Sequence, residues 1–134
     1  MAVLGVEFTK IQAERKAELK GKINISNNVA VTEIKKHGLK FGDSESVKIS
    51  FKFTADYNPN IGNILIEGDT IVVEKPEKIK ETLDMFKKNK KLPDDVLEQV
   101  MNSLLSKCNV EALVIGREVG LPPTLNMPKV KAEK

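Results

Sequence analysis

From Val47 to Tyr57 apolar and polar residues alternate without a break, with Val47, Ile49, Phe51, Phe53, Ala55 and Tyr57 set against Lys48, Ser50, Lys52, Thr54 and Asp56. Successive side chains of a pleated strand point to opposite faces, so the pattern predicts a strand with one buried side. Asn58-Pro59-Asn60-Ile61-Gly62 then supplies turn chemistry: Pro59 fixes φ, and Asn60 and Gly62 tolerate positive φ. A second apolar run begins at Ile64, which makes the whole an antiparallel hairpin. In its second strand Ile64 and Ile66 share a face while Ile71 and Val73 follow in the opposite phase, so Gly68-Asp69 is the expected site of a bulge or bend.

The first forty residues read as extended segments of less regular pattern. Val6 and Phe8 alternate with Glu7 and Thr9, the charged stretch Gln12 to Lys16 interrupts, and Leu19, Ile23 and Ile25 resume the alternation into Val29 and Val31. Gln12 to Leu19 contains good helix formers, so a short helix competes with strand there, strand being preferred. Asn27-Asn28 is a turn or a kink in one long strand. His37 to Ser44 is rich in breakers and predicts a loop carrying two large apolar side chains, Leu39 and Phe41.

After Val73 the period changes from two to that of a helix. Pro76 opens a helix over Glu77 to Lys90, with Ile79, Leu83 and Phe86 on one side. Pro93-Asp94-Asp95 restarts the helix, because proline fits the first turn and aspartates favour the positive end of the dipole. The stripe Val96, Leu97, Val100, Met101, Leu104, Leu105 and Cys108 is wide enough to lie across a sheet. Asn109 marks a corner, followed by a short helix to Val119 with Leu113 and Val114 as its core pair and Gly120 as its cap. The prolines at 122, 123 and 128 make the remainder extended. Strands followed by helices, without βαβ alternation, define an α+β fold: an antiparallel sheet with helices on one face. The expected layout is one domain over 1–134, with strands over about 3–74, helices over about 77–119 and an extended proline-rich segment over 120–134.

Composition narrows the function more than the fold. The chain has 134 residues, 40% hydrophobic and 31% charged, as expected of a soluble globular protein. No apolar run is long enough for a membrane span, and MAVLGVEFTK lacks the basic start and apolar centre of a signal peptide, which points to the cytoplasm without membrane insertion. Cys108 is the single cysteine, in keeping with a reducing compartment. The net charge of +3 permits weak anion binding without requiring it. Lys87-Lys88-Asn89-Lys90-Lys91 lacks the interleaved aromatics of a nucleic-acid patch and suits a solvated helix end.

Catalytic chemistry is hard to assemble from these residues. One histidine, His37, and one cysteine on an apolar stripe do not make a metal site or a nucleophilic dyad, and helix initiation accounts for Asp94-Asp95. No glycine-rich phosphate-binding pattern is present. The expectation is a protein that binds and does not catalyse, with no catalytic residue, no metal and no cofactor.

The segments ISFKFTADYNPNIGNILIEGDTIVV, VLEQVMNSLLSKC and GLPPTLNMPKVK occur in an order that resembles the SecB export chaperones and the SecB-like chaperones of some toxin-antitoxin systems. The likeness covers roughly Val47 to Val130 and is most specific in the terminal glycine, proline and leucine-asparagine segment. It implies a four-stranded antiparallel sheet, assembly as a dimer or dimer of dimers, and ATP-independent holding of unfolded or pre-export polypeptides in apolar grooves. The mildly basic charge departs from the acidic members that engage the SecA motor, and argues against a SecA partnership. A holdase needs apolar surface that stays accessible, and the large apolar residues outside the main core are Val6, Phe8, Leu39, Phe41, Leu121, Leu125 and Met127. The alternative is a non-enzymatic adaptor or structural subunit that binds one protein or nucleic-acid partner.

Overall fold

The computed structural model describes residues 2–19 and 21–122, and for residues 2, 39 and 41 the backbone alone. Four strands precede two helices: β1 (Ala2–Arg15), β2 (Asn24–Phe41), β3 (Ser44–Asn58), β4 (Gly62–Glu74), α1 (Pro76–Asn89) and α2 (Asp94–Glu118). All neighbouring strands are antiparallel, in the order β1-β4-β3-β2. The hairpin β3–β4 therefore fills the centre, and the first two strands of the sequence flank it at opposite edges. The architecture is the α+β sheet with helices on one face that the strand and helix periods predict.

The alternation in β3 is expressed as burial: Val47, Ile49, Phe51, Phe53, Ala55 and Tyr57 are each at most 1% exposed. The Asn58–Gly62 turn holds Asn60 at φ 50°, and Ile61 donates its N–H to the Tyr57 carbonyl at 2.9 Å. The expected change of phase in β4 does not occur. Residues 62, 64, 66, 68, 70 and 72 all face the core, and the β3–β4 register is unbroken. Gly68 and Thr70 occupy core-facing positions, while Ile71 and Val73 lie on the other face of the strand. Gly68 is needed there because a Cβ would collide with the Glu7 backbone oxygen and lie 3.0 Å from the Phe51 ring.

The irregularities lie in the edge strands instead, two in β2 and two in β1. The register of β1 with β4 shifts between Val3 and Gly5 and again between Phe8 and Lys10, so Leu4 and Thr9 are extra residues. The charged stretch after Ile11 is strand up to Arg15, neither a break nor a helix. Residues 16–19 and 21–23 belong to the irregular crossing from one edge of the sheet to the other, pinned where Lys16 and Ala17 donate to the Ile61 carbonyl at 2.6 and 3.2 Å. Leu19 is 43% exposed there and takes no part in a strand. Asn27-Asn28 lies inside continuous β2. The expected loop over His37 to Ser44 is also strand as far as Phe41; only Gly42-Asp43 turns, and a register shift between His37 and Lys40 absorbs Gly38 and Leu39.

α1 begins with Pro76 and buries Ile79 and Phe86, with Leu83 half-buried between them. α2 is one helix of 25 residues, and the expected corner at Asn109 is absent. Asn109 is fully buried, and its Nδ2 donates to the Leu105 carbonyl at 2.8 Å, so the side chain is satisfied within the helix it was expected to end. The buried positions recur every fourth residue, Val96, Val100, Leu104, Cys108, Ala112 and Gly116. Each such step drifts by about 40°, so the buried stripe winds around the helix. Small side chains serve where it runs close to the sheet: a Cβ on Gly116 would sit 3.4 Å from Ile64 Cδ1. Leu113 and Val114, the expected core pair, fall off the stripe and are 38% and 45% exposed. Beyond α2, Gly120 at φ 76° reverses the chain, with Leu121 N–H bonded to the Gly116 carbonyl at 2.9 Å and Gly120 N–H to that of Arg117 at 3.2 Å. This is the two-bond Schellman termination. No described helix is long and apolar enough to cross a membrane.

Candidate functional site

The two bulges of β1 decide what its core-side row contains. Each inserts one residue, so the row facing the helices reads Val3, Val6, Phe8 and Ile11, in register with Val72, Thr70, Gly68 and Ile66. Phe8 meets Phe51 edge to face, with ring centroids 6.4 Å apart at 74°. Val3, Val6 and Phe8 are half-buried, and Ile11 is 43% exposed. The row is apolar yet incompletely covered, because β1 is an edge strand and α2 roofs only one side of it.

Between that edge and the helix lies a groove of about 410 Å³, bordered by Val3, Gly5 and Val6 on the strand and by Asn102, Ser103, Ser106 and Lys107 on α2. One wall is thus apolar with an adjacent strand edge, and the other offers hydroxyl, amide and ammonium groups. An edge strand presents backbone N–H and C=O groups along its outer side, and an extended segment can add to it while its side chains use the pockets beside the strand. The geometry suits a polypeptide more than a compact polar metabolite.

The sequence-derived residues do not converge on one place. Val6 and Phe8 stand on the groove row. Leu39 and Phe41 belong to the far edge strand, β2, and not to a loop. Leu121 is only 5% exposed; it packs at the sheet end, 3.0 Å from where a Gly62 Cβ would stand, and belongs to the core. It is drawn there by the Schellman turn, by Arg15 Nε donating to the Val119 carbonyl at 2.8 Å, and by Tyr57 Oη donating to the Pro122 carbonyl at 2.7 Å. Leu125 and Met127 lie outside the described residues. Val3, Ile11 and the polar residues of α2 were missed. The bulges break the period-two signal of β1, while Ser103 and Ser106 could have been found as the polar flank of the α2 stripe.

Among the described residues no group of three or more His, Cys, Asp or Glu side chains is placed to hold a metal. Cys108 is fully buried, and burial together with the neighbouring Glu111 charge pushes its thiol up to about 12. Such a thiol stays protonated and poorly nucleophilic at neutral pH. His37 is half-buried on β2, in register with Ser46 on the sheet face turned away from the helices.

The fold, a four-stranded antiparallel sheet bearing two C-terminal helices, is similar to that of a solved chaperone. No family model matches the chain, and no curated protein matches it in sequence. Among solved structures, the chain is similar to the Mycobacterium tuberculosis Rv1957 SecB-like chaperone, solved in complex with a ChAD peptide from the Rv1956 HigA1 antitoxin. The TM-score is 0.54 and the identity 10%, over 98% of this chain and 89% of that one. At that identity the likeness is one of fold.

Proposed function

We propose that the protein is a SecB-like, ATP-independent holdase that binds unfolded or pre-export polypeptides through exposed apolar grooves, the β1–α2 groove first among them. The observation that carries the reading is the half-covered row Val3, Val6, Phe8 and Ile11, on a fold shared along nearly the whole chain with a chaperone solved with a peptide bound. An apolar row at a strand edge is the surface that an extended, unfolded chain can use, since it offers both apolar contact and backbone hydrogen bonds. In this reading the protein works without nucleotide, metal or catalytic residue, in the cytoplasm, as a homo-oligomer such as a dimer of dimers, with no role for SecA.

The test is suppression of aggregation of a chemically unfolded model protein without ATP, with the particle mass read by light scattering on the same sample. Substoichiometric protein should keep the client soluble, and Val6→Asp should weaken this severalfold while the far-ultraviolet circular dichroism stays unchanged. Full suppression by Val6→Asp would move the site away from β1, and no suppression by the parent protein would end the holdase reading. A specific-partner adaptor would then be the remaining account.

A further inference from the structure

The face of the sheet turned away from the helices holds a trough of about 430 Å³ that crosses the strands, from His37 on β2 and Lys48 on β3 to Asp69 and Ile71 on β4 and Leu4 and Glu7 on β1. Leu4 reaches it because it is the extra residue of the first β1 bulge, and it is 51% exposed. On this face the register places two like-charge pairs directly opposite one another: Lys35 faces Lys48 across β2–β3, and Glu7 faces Asp69 across β1–β4. Like charges in opposed positions of an antiparallel pair oppose the pairing. Lys35 has an exposed partner in Glu33 at 3.6 Å, and Asp69 Oδ1 accepts a hydrogen bond from Ser50 Oγ at 2.6 Å. Neither Lys48 nor Glu7 has an ion-pair partner among the described residues. The trough is thus basic on its β2–β3 side and acidic on its β4–β1 side, with Ile71 and Leu4 as apolar surface.

We propose that this trough is a second polypeptide site, taking an extended segment that carries a carboxylate side chain and a cationic side chain four residues apart with an apolar residue midway. The proposal rests on the polypeptide-binding reading above and adds a charge pattern to it. The spacing follows from two lengths. Strands lie about 4.8 Å apart, so β2 to β1 spans roughly 14 Å, while an extended chain advances about 3.3 Å per residue and covers roughly 13 Å in four. Residues i, i+2 and i+4 project on the same side of such a chain. The carboxylate then meets Lys48 and His37, the apolar residue meets Ile71 and Leu4, and the cation meets Glu7 and Asp69. Each end of the ligand relieves one like-charge pair.

The experiment is fluorescence anisotropy at about 20 mM salt, where screening is weak, with the labelled peptide Ser-Gly-Glu-Ser-Leu-Ser-Arg-Gly-Ser. Its comparisons are an isomer with Glu and Arg adjacent, and forms in which Glu or Arg is replaced by Gln. The patterned peptide should bind about threefold to tenfold more tightly than the isomer, the range of one or two exposed charge contacts. Lys48→Gln should abolish the advantage of the Glu over the Gln peptide and leave the Arg contact intact; Glu7→Gln should do the converse. Equal affinity for pattern and isomer, or losses that ignore which charge the peptide carries, would overturn the proposal. So would displacement of the peptide by an equimolar single-stranded oligonucleotide, or its release as added protein raises the particle mass. Aggregation suppression measured on the same samples separates the two readings. A protein that holds client but ignores the charge pattern loses only the trough, and one that reads the pattern without holding client loses only the holdase function.

Discussion

A methyl group added at Gly68 would run into the Glu7 backbone oxygen, which cannot move without disturbing the β1–β4 pairing, and press on the buried Phe51 ring. Gly68→Ala should therefore destabilise by about 2–3 kcal/mol, as overpacking in a core does, read as a lowered urea midpoint. Gly116→Ala should do the reverse. Its Cβ would lie 3.4 Å from Ile64 Cδ1 and 3.8 Å from Leu121 Cβ, ordinary contacts, and alanine is favoured over glycine in a helix by about 1 kcal/mol. Cys108 gives a pH test. Burial raises its thiol from an ordinary 9.0 to about 12, so between those values the unfolded chain has lost a proton that the folded chain keeps. Stability is then complete below pH 9 and falls as pH rises above it, by about 1.4 kcal/mol per unit. Denaturant midpoints measured from pH 8 to 10.5 should show that fall, and Cys108→Ala should flatten it. Some slope should persist, because burial also raises the Tyr57 hydroxyl.

At the scale of the element, the end of α2 is tied to the sheet by Arg15 and Tyr57. Gly120 sits at φ 76°, and a Cβ there would also meet Arg15 Nε at 3.3 Å. Gly120→Ala should cost about 1–2 kcal/mol from the left-handed backbone alone, visible as a lower melting temperature. It should also loosen Leu121 and the Tyr57–Pro122 bond, which a change in tyrosine fluorescence would report. How much of each element could be read beforehand follows from what set it. The strand β3 and both helix starts were legible, because strict alternation and a proline followed by an acidic residue are local signals. The β1 bulges, and with them the row Val3, Val6, Phe8 and Ile11, were not, since their cause is pairing with β4 more than fifty residues away. Nor was the continuity of α2. Large residues such as Leu113 and Val114 look like core, but close approach of helix to sheet selects Ala112 and Gly116 instead.

At the scale of the whole molecule, two apolar surfaces on the side that bears the helices are left uncovered by the described residues: the β1 row, and Val110, Leu113 and Val114 on the outer side of α2. The second should not matter to the stability of one chain. Leu113→Ser with Val114→Ser should leave the melting temperature within a few degrees, as surface substitutions do, while lowering the particle mass seen by light scattering in the proposed homo-oligomer. The candidate site was legible only in part for a related reason. Val6 and Phe8 could be picked out as apolar residues outside the main core, but a groove needs its second wall, and α2 supplies that through residues with no apolar signal. The strand order carries a further consequence, for synthesis on the ribosome. β1 and β2 are made first, yet each pairs only with a strand of the later hairpin, and β1 waits for β4. At the usual 5–20 residues per second, the interval from Arg15 to Glu74 is roughly 3–12 s. Throughout it the nascent chain carries an unpaired apolar strand of its own, the kind of segment that a holdase exists to shelter.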